Sequence, residues 1–312
     1  MSHASSRRIP VGNPTRGKER KESGMRKHEH LIYAGILFLA VAAASLPRVA
    51  VAQAGGERTL WVNGPVGRLR VSDGGDGGVP VVFVHSLAGN RSQWSDQLSH
   101  VRRTRRAVAF DLRGHGESDS PAGADYSLEG AAGDIQAVVD GLGLEEFVLV
   151  GHSFGGGAVA VYAGMHPQKV RALLFVDPIG DQRSVRMQID MLVQFLESPS
   201  FHVTAGAYYE GILTNAAPSV RASVLSALGQ TSQEAIVGAF KSIAAFDPVA
   251  KLEPFSGPML TVISDLNNFP TSLHNVIPNL PSQLISGTSH WLHMDKPDEF
   301  NSELDRFLAS VR

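Results

Sequence analysis

The chain has 312 residues, 43% apolar and 19% charged, an ordinary balance for a globular protein. Its formal net charge of −2 supplies no attraction for nucleic acid or an anionic membrane. It contains no cysteine, which excludes a thiol nucleophile, a thiolate metal site and a disulfide framework.

Residues 1–24 are polar and basic, with Arg7, Arg8, Arg16, Lys18, Arg20 and Lys21, and cannot build a core. Met25-Arg26-Lys27 precedes an apolar run over residues 31–46, and Ala50-Val51-Ala52 follows it. Basic, apolar, then small residues is the order of a secretory signal. Residues 1–52 are therefore expected to be an N-terminal extension and signal peptide, cleaved after Ala52 to leave Gln53 first. The protein would be secreted or periplasmic, with no membrane partner after cleavage. Met25 is a second candidate start. The alternative is a membrane anchor over residues 31–46, although that run is shorter than the ~20 residues a spanning helix needs.

Strands are expected at residues 59–63, 68–72, 79–85, 107–111, 147–151, 172–177, 259–264 and 283–286. The middle ones, such as Val-Val-Phe-Val and Phe-Val-Leu-Val, are continuously apolar, as strands covered on both faces require. Helical stretches fall between them at residues 92–101, 128–142, 155–166 and 298–311. This alternation predicts an α/β fold: a mostly parallel eight-stranded sheet with helices on both faces. The first two strands, joined by Gly64-Pro65-Val66-Gly67, read as an antiparallel hairpin at the sheet edge.

The rhythm breaks over residues 180–251, where helices are expected at 182–197, 205–214, 220–228 and 233–245 and no strand is evident. The segment is long for a single crossover and reads as a helical lid inserted between two parts of the sheet domain, residues 53–179 and 252–312.

Gly151-His152-Ser153-Phe154-Gly155 directly follows the apolar strand at 147–151 and opens a helix of small residues. The glycines permit a tight strand-to-helix turn and close approach of the helix. Such a turn holds the Ser153 hydroxyl at the top of the sheet, at the positive end of a helix. This is the context of a nucleophile elbow. An ordinary turn serine is the plain alternative.

Three further segments occur in order around it. They are Val-Val-Phe-Val-His85 with Trp94 downstream, Asp111-Leu112-Arg113-Gly114-His115-Gly116-Glu117-Ser118, and Gly287-Thr288-Ser289-His290-Trp291 before Asp295-Lys296-Pro297. With these four segments the chain resembles the α/β-hydrolase family, in particular serine esterase- and lipase-like members with a helical lid. The resemblance runs from about residue 60 to about residue 308.

The resemblance implies Ser153 as nucleophile and His290 as general base. A serine hydroxyl is a poor nucleophile near neutral pH unless an imidazole takes its proton. His293 is the rival base; His152 is the variable residue of the elbow, and His85 and His115 lie in loops that resemble structural ones.

The carboxylate stays open. The family's acid commonly follows the next-to-last strand, where this chain reads Ser264-Asp265-Leu266-Asn267-Asn268, so that Asn267 takes the acid's place. An asparagine can orient an imidazole but cannot stabilise the imidazolium by charge. Asp177, ending a strand in Phe175-Val176-Asp177-Pro178, and Asp265 are the two carboxylate candidates; a Ser-His dyad is the third possibility. The resemblance also assigns the oxyanion hole to the amides of Leu87 and Phe154. Ser86 stands where the family often has glycine. It implies either an ordinary backbone conformation there or an extra hydroxyl near the site.

No metal-ligand spacing and no G-x-G-x-x-G after a strand occurs, so no cofactor is expected. The expected substrate is a small to medium apolar carboxylic ester, cleaved through an acyl-enzyme. The alternatives are a cofactor-free haloperoxidase or perhydrolase, a C–C hydrolase or lyase on the same fold, and a low-turnover ligand-binding homologue.

Overall fold

A computed structural model describes residues 56–311. The expected signal with its cleavage after Ala52, and the alternative anchor over residues 31–46, lie outside the described residues. Eight strands follow one another as β1 (Arg58–Asn63), β2 (Arg68–Gly74), β3 (Val81–Val84), β4 (Ala107–Phe110), β5 (Phe147–His152), β6 (Val170–Val176), β7 (Met259–Ile263) and β8 (Ser282–Leu284). They form one sheet in the order β1-β2-β4-β3-β5-β6-β7-β8. β1 and β2 make the antiparallel edge hairpin, β2 meets β4 antiparallel, and the remaining pairs are parallel.

The central strands are apolar throughout because both faces are covered. Val82, Val84, Val108, Phe110, Leu149, Leu173 and Phe175 enter one buried cluster. Their chain neighbours Val81, Phe83, Ala107, Ala109, Val148, Leu174 and Val176 enter another on the opposite face. The helices are α1 (Ser95–Val101), α2 (Leu128–Gly141), α3 (Phe154–Met165), α4 (Arg186–Leu196), α5 (Phe201–Ile212), α6 (Pro218–Gln230), α7 (Gln233–Ile243), α8 (Pro248–Leu252), α9 (Leu273–Val276), α10 (Leu292–Asp295) and α11 (Pro297–Ser310). α2 and α3 contribute Ile135, Val138, Val159 and Tyr162 to the first cluster. α1 and α11 contribute Leu98, Val101, Phe300 and Leu304 to the second.

Helices α4 to α7 occupy the four stretches expected between residues 180 and 251. α5 begins at Phe201, upstream of the expected 205, because the Phe201 ring is buried and its N–H donates to the Ser198 carbonyl at 3.1 Å. The one-turn helices α8, α9 and α10 were not expected; a single turn carries too few residues to show a periodicity. No helix among the described residues is long and apolar enough to cross a membrane.

Candidate active site

The C-terminal ends of the parallel strands converge on one cavity. Leu87 follows β3, Ser153 follows β5, Asp177 follows β6, and His290 follows β8. Ligands of open parallel sheets bind at this end, where loops leave the strands.

Ser153 stands alone between β5 and α3 with φ 53° and ψ −115°. A non-glycine residue there stores about 1–3 kcal/mol of backbone strain. The neighbours enforce it: the Ser153 N–H donates to the Val176 carbonyl at 3.0 Å, and its carbonyl accepts from Gly157 at 3.2 Å. The flanking glycines have no room for a side chain. A Cβ on Gly151 would lie 2.5 Å from the Gly155 carbonyl oxygen, and one on Gly155 would lie 2.4 Å from that of His85.

His290 sits in a loop opened by Gly287 at φ 69°. Asp295 tightens this loop by accepting from the Ser289 N–H at 2.8 Å and the Ser289 hydroxyl at 2.5 Å. The His290 Nδ1 lies 2.6 Å from Asp177 Oδ2. Asp177 is fully buried, and its Oδ1 accepts from the Ser264 N–H at 2.8 Å. Its Oδ2 also accepts from the Ser264 hydroxyl at 2.8 Å. A carboxylate so engaged orients the ring, makes Nδ1 the protonated nitrogen and leaves Nε2 free to act as a base.

Asp265, the other carboxylate that spacing allows, turns elsewhere. It is exposed, and its Oδ2 accepts the Gly287 N–H at 2.6 Å, so it supports the histidine loop without meeting the imidazole. Asn267 also makes other contacts: its Nδ2 donates to the Pro178 carbonyl at 2.9 Å and its Oδ1 accepts from Ser272 at 2.8 Å. The Asp177 carboxylate faces His290 because β6 and β7 are sheet neighbours, which brings Ser264 beneath Asp177. Ser264 is thus a site residue that the spacing of motifs did not reveal.

The buried histidines His293, His152 and His85 are held neutral by burial. His293 is fully buried and stacked on Trp94 with ring centroids 4.2 Å apart. Burial lowers its pKa to about 3, and it does not line the cavity. His152 is buried behind the site, and its Nε2–H donates to the His290 carbonyl at 2.9 Å. Burial also pulls His152 well below its ordinary value. His85 donates from Nδ1 to the Ser86 carbonyl at 2.7 Å and accepts the Leu112 N–H at Nε2 at 3.0 Å, which specifies its tautomer. The 111–118 segment is scaffolding. Asp111 accepts the N–H groups of Arg91 at 2.6 Å and Glu117 at 2.9 Å, and Arg113 is clamped on buried Asp134 at 2.7 Å.

Leu87 and Phe154 both line the cavity beside Ser153. Phe154 is the first residue of α3, where an N–H has no acceptor within its own helix. Leu87 lies in a turn closed by the Gly89 N–H on the Ser86 carbonyl at 3.0 Å. In that turn Ala88, not Ser86, takes the positive φ, of 51°. Ser86 therefore has an ordinary backbone, and its buried hydroxyl has no hydrogen-bond partner among the described residues.

The cavity measures about 560 Å³. α4, α5 and α7 wall it with Ile189, Leu192, Tyr208, Tyr209, Ile212, Phe240 and Ile243. Among the described residues, no lysine or arginine lines it, and no group of His, Asp and Glu could hold a metal ion.

The family model described as alpha/beta hydrolase fold matches residues 79–242. The sn-1-specific diacylglycerol lipase ABHD11 of Mus musculus is 29% identical over 259 residues, which span 75% of this chain and 83% of that protein. Several further relatives align over only about a third of their own length. Among solved structures, a bromoperoxidase from Bacillus anthracis superposes with a TM-score of 0.71 at 22% identity, over 82% of this chain and all of that one. A thermophilic esterase from Thermogutta terrifontis does so with a TM-score of 0.68 at 20% identity, over 81% of this chain and 99% of that one. At these identities the structural matches establish the fold alone.

Proposed function

Since the chain belongs to the α/β-hydrolase fold family, we propose that it is a serine hydrolase that cleaves uncharged, apolar carboxylic esters through an acyl-enzyme. The observation that carries this reading is a strained Ser153 in one cavity with a histidine whose Nδ1 meets a buried carboxylate at 2.6 Å. In this mechanism Nε2 of His290 accepts the Ser153 proton as the hydroxyl oxygen bonds to the ester carbonyl carbon. The amides of Leu87 and Phe154 receive the oxyanion. His290 then delivers its proton to the leaving alkoxide as the ester C–O bond breaks. In the second half His290 takes a proton from water, which attacks the acyl-enzyme and releases the acid and Ser153. Asp177 stabilises the imidazolium at both stages.

The apolar walls and the lack of a lining cation among the described residues support a neutral acyl group. Residues 180–251 act as the lid of this site in our reading, because α4, α5 and α7 supply most of those walls. The test is labelling by a fluorophosphonate probe, which reacts only with an activated serine. Wild-type protein should label within minutes, and Ser153→Ala and His290→Ala should not. A wild-type protein that stays unlabelled would favour a ligand-binding role and overturn the reading.

Export by the signal within residues 1–52 is part of the same proposal. N-terminal sequencing should find Gln53 first, and a mature chain retaining residues 31–46 would contradict it.

A further inference from the structure

Helix α5 reaches both loops on which the proposed chemistry depends. From its last turn, the Tyr209 hydroxyl donates to the Leu87 carbonyl at 2.7 Å. At its end, the Ile212 carbonyl accepts the His290 N–H at 3.2 Å. Just beyond it, the Ala217 N–H donates to Asp295 Oδ1 at 2.8 Å, and the other oxygen of that carboxylate holds Ser289.

The turn that Tyr209 grips needs holding. It contains Ala88 at φ 51°, and a non-glycine residue keeps such a conformation only where its surroundings over-determine it. Tyr209 is suited to the task. It is 2% exposed, its ring lies 6.0 Å from that of Trp291, and burial raises its phenol well above the ordinary value, so it stays a donor.

We propose that Tyr209 is a positioning residue: its hydroxyl fixes the oxyanion loop to α5, which also carries the histidine loop, so that oxyanion donor and base are held in one frame. The role rests on the serine-hydrolase reading above. It makes α5 a brace of the site as well as a wall of its cavity. A donor displaced by a fraction of an ångström still binds the flat ester but meets the developing oxyanion poorly, so the loss falls on the transition state.

Tyr209→Phe removes the hydroxyl and leaves the ring in place. With a p-nitrophenyl ester, kcat should fall about 10- to 100-fold while KM stays within about threefold. Affinity for a trifluoromethyl ketone, whose adduct with Ser153 carries an oxyanion, should fall by a similar factor. The pH dependence of kcat/KM should be unmoved, because the His290–Asp177 contact is untouched. Tyr162→Phe removes a core tyrosine hydroxyl that donates to Gln136 at 3.0 Å away from the cavity, and should change kcat by less than about twofold. The proposal is overturned if Tyr209→Phe keeps wild-type kcat, if its loss appears in KM alone, or if Tyr162→Phe is equally impaired. Those results leave the serine-hydrolase reading standing. A wild-type protein that neither turns over esters nor binds the ketone removes both.

Discussion

His290 Nδ1 and Asp177 Oδ2 meet at 2.6 Å across 113 residues of chain. Asp177 follows β6, the neighbour of the strand that leads into the Ser153 turn, and its backbone is held there by its own N–H on the Val262 carbonyl at 2.8 Å. The Asp177 carboxylate therefore sits one strand nearer Ser153 than the Asp265–Asn267 segment after β7. That placement allows a direct comparison of the two carboxylates.

Asp177→Asn keeps the shape but removes the charge that stabilises the imidazolium, and it favours the wrong tautomer. We expect kcat to fall about 10²- to 10⁴-fold. Asp265→Asn still offers an oxygen to the Gly287 N–H and should stay within about threefold of wild type. Steady-state ester hydrolysis checks both. Equal losses in the two variants would contradict the assignment of Asp177.

Backbone space at the elbow sets a second expectation. In Gly155→Ala the new Cβ would lie 2.4 Å from the His85 carbonyl oxygen and 2.5 Å from that of Val84. Both are backbone atoms of a packed strand end, so the variant should lose about 3 kcal/mol or more. Gly206 lies within α5, and a Cβ there meets nothing within 4 Å. Gly206→Ala should gain about 0.5–1 kcal/mol. Urea unfolding of the three proteins measures this contrast, and a tolerated Gly155→Ala would count against the tight turn.

The cavity lining predicts discrimination by charge. p-Nitrophenyl butyrate and mono-p-nitrophenyl succinate have acyl chains of equal carbon number, but the second ends in a carboxylate. Buried without a cation, that group should cost about 100-fold or more in kcat/KM. Comparable values for the two esters would mean that a cation reaches the cavity.

Acid should destabilise the protein earlier than its carboxylates alone would. Burial lowers His85 to about 4, His115 and His293 to about 3, and His152 well below its ordinary value. In the unfolded chain these rings titrate near pH 6.5. Below that pH the unfolded state binds more protons than the native one, so stability falls as pH falls. The loss continues until the native rings themselves protonate, near pH 4 for His85 and near pH 3 for His115 and His293. Each ring contributes about 1.4 kcal/mol per pH unit within that window. Denaturant unfolding between pH 7 and pH 4.5 reads the slope, and a flat profile from about pH 6.5 to about pH 5 would refute buried neutral histidines.

Local chemistry made much of this protein legible in the chain itself. All eight strands appear within two residues of their expected ends, and the central ones stand out because a strand covered on both faces must be continuously apolar. Gly151, Ser153 and Gly155 announce their turn because only glycine tolerates the approach distances involved, and His290 is marked by the glycine-opened loop after the last strand. These are properties of a few adjacent residues. The carboxylate that meets His290 is not such a property. Asp177 and Asp265 are equivalent as sequence, and Asn267 stands closer to the usual position than either. Only the lateral pairing of β6 with β7 turns Asp177 toward His290 over Ser264, while Gly287 draws Asp265 away. The grip of Tyr209 on Leu87 is likewise invisible in the chain, since it joins residues 122 apart, from α5 to the loop after β3. Strand identity and turn geometry are encoded locally; which carboxylate meets which imidazole depends on the order of strands in the sheet, and that order forms only when the whole domain packs.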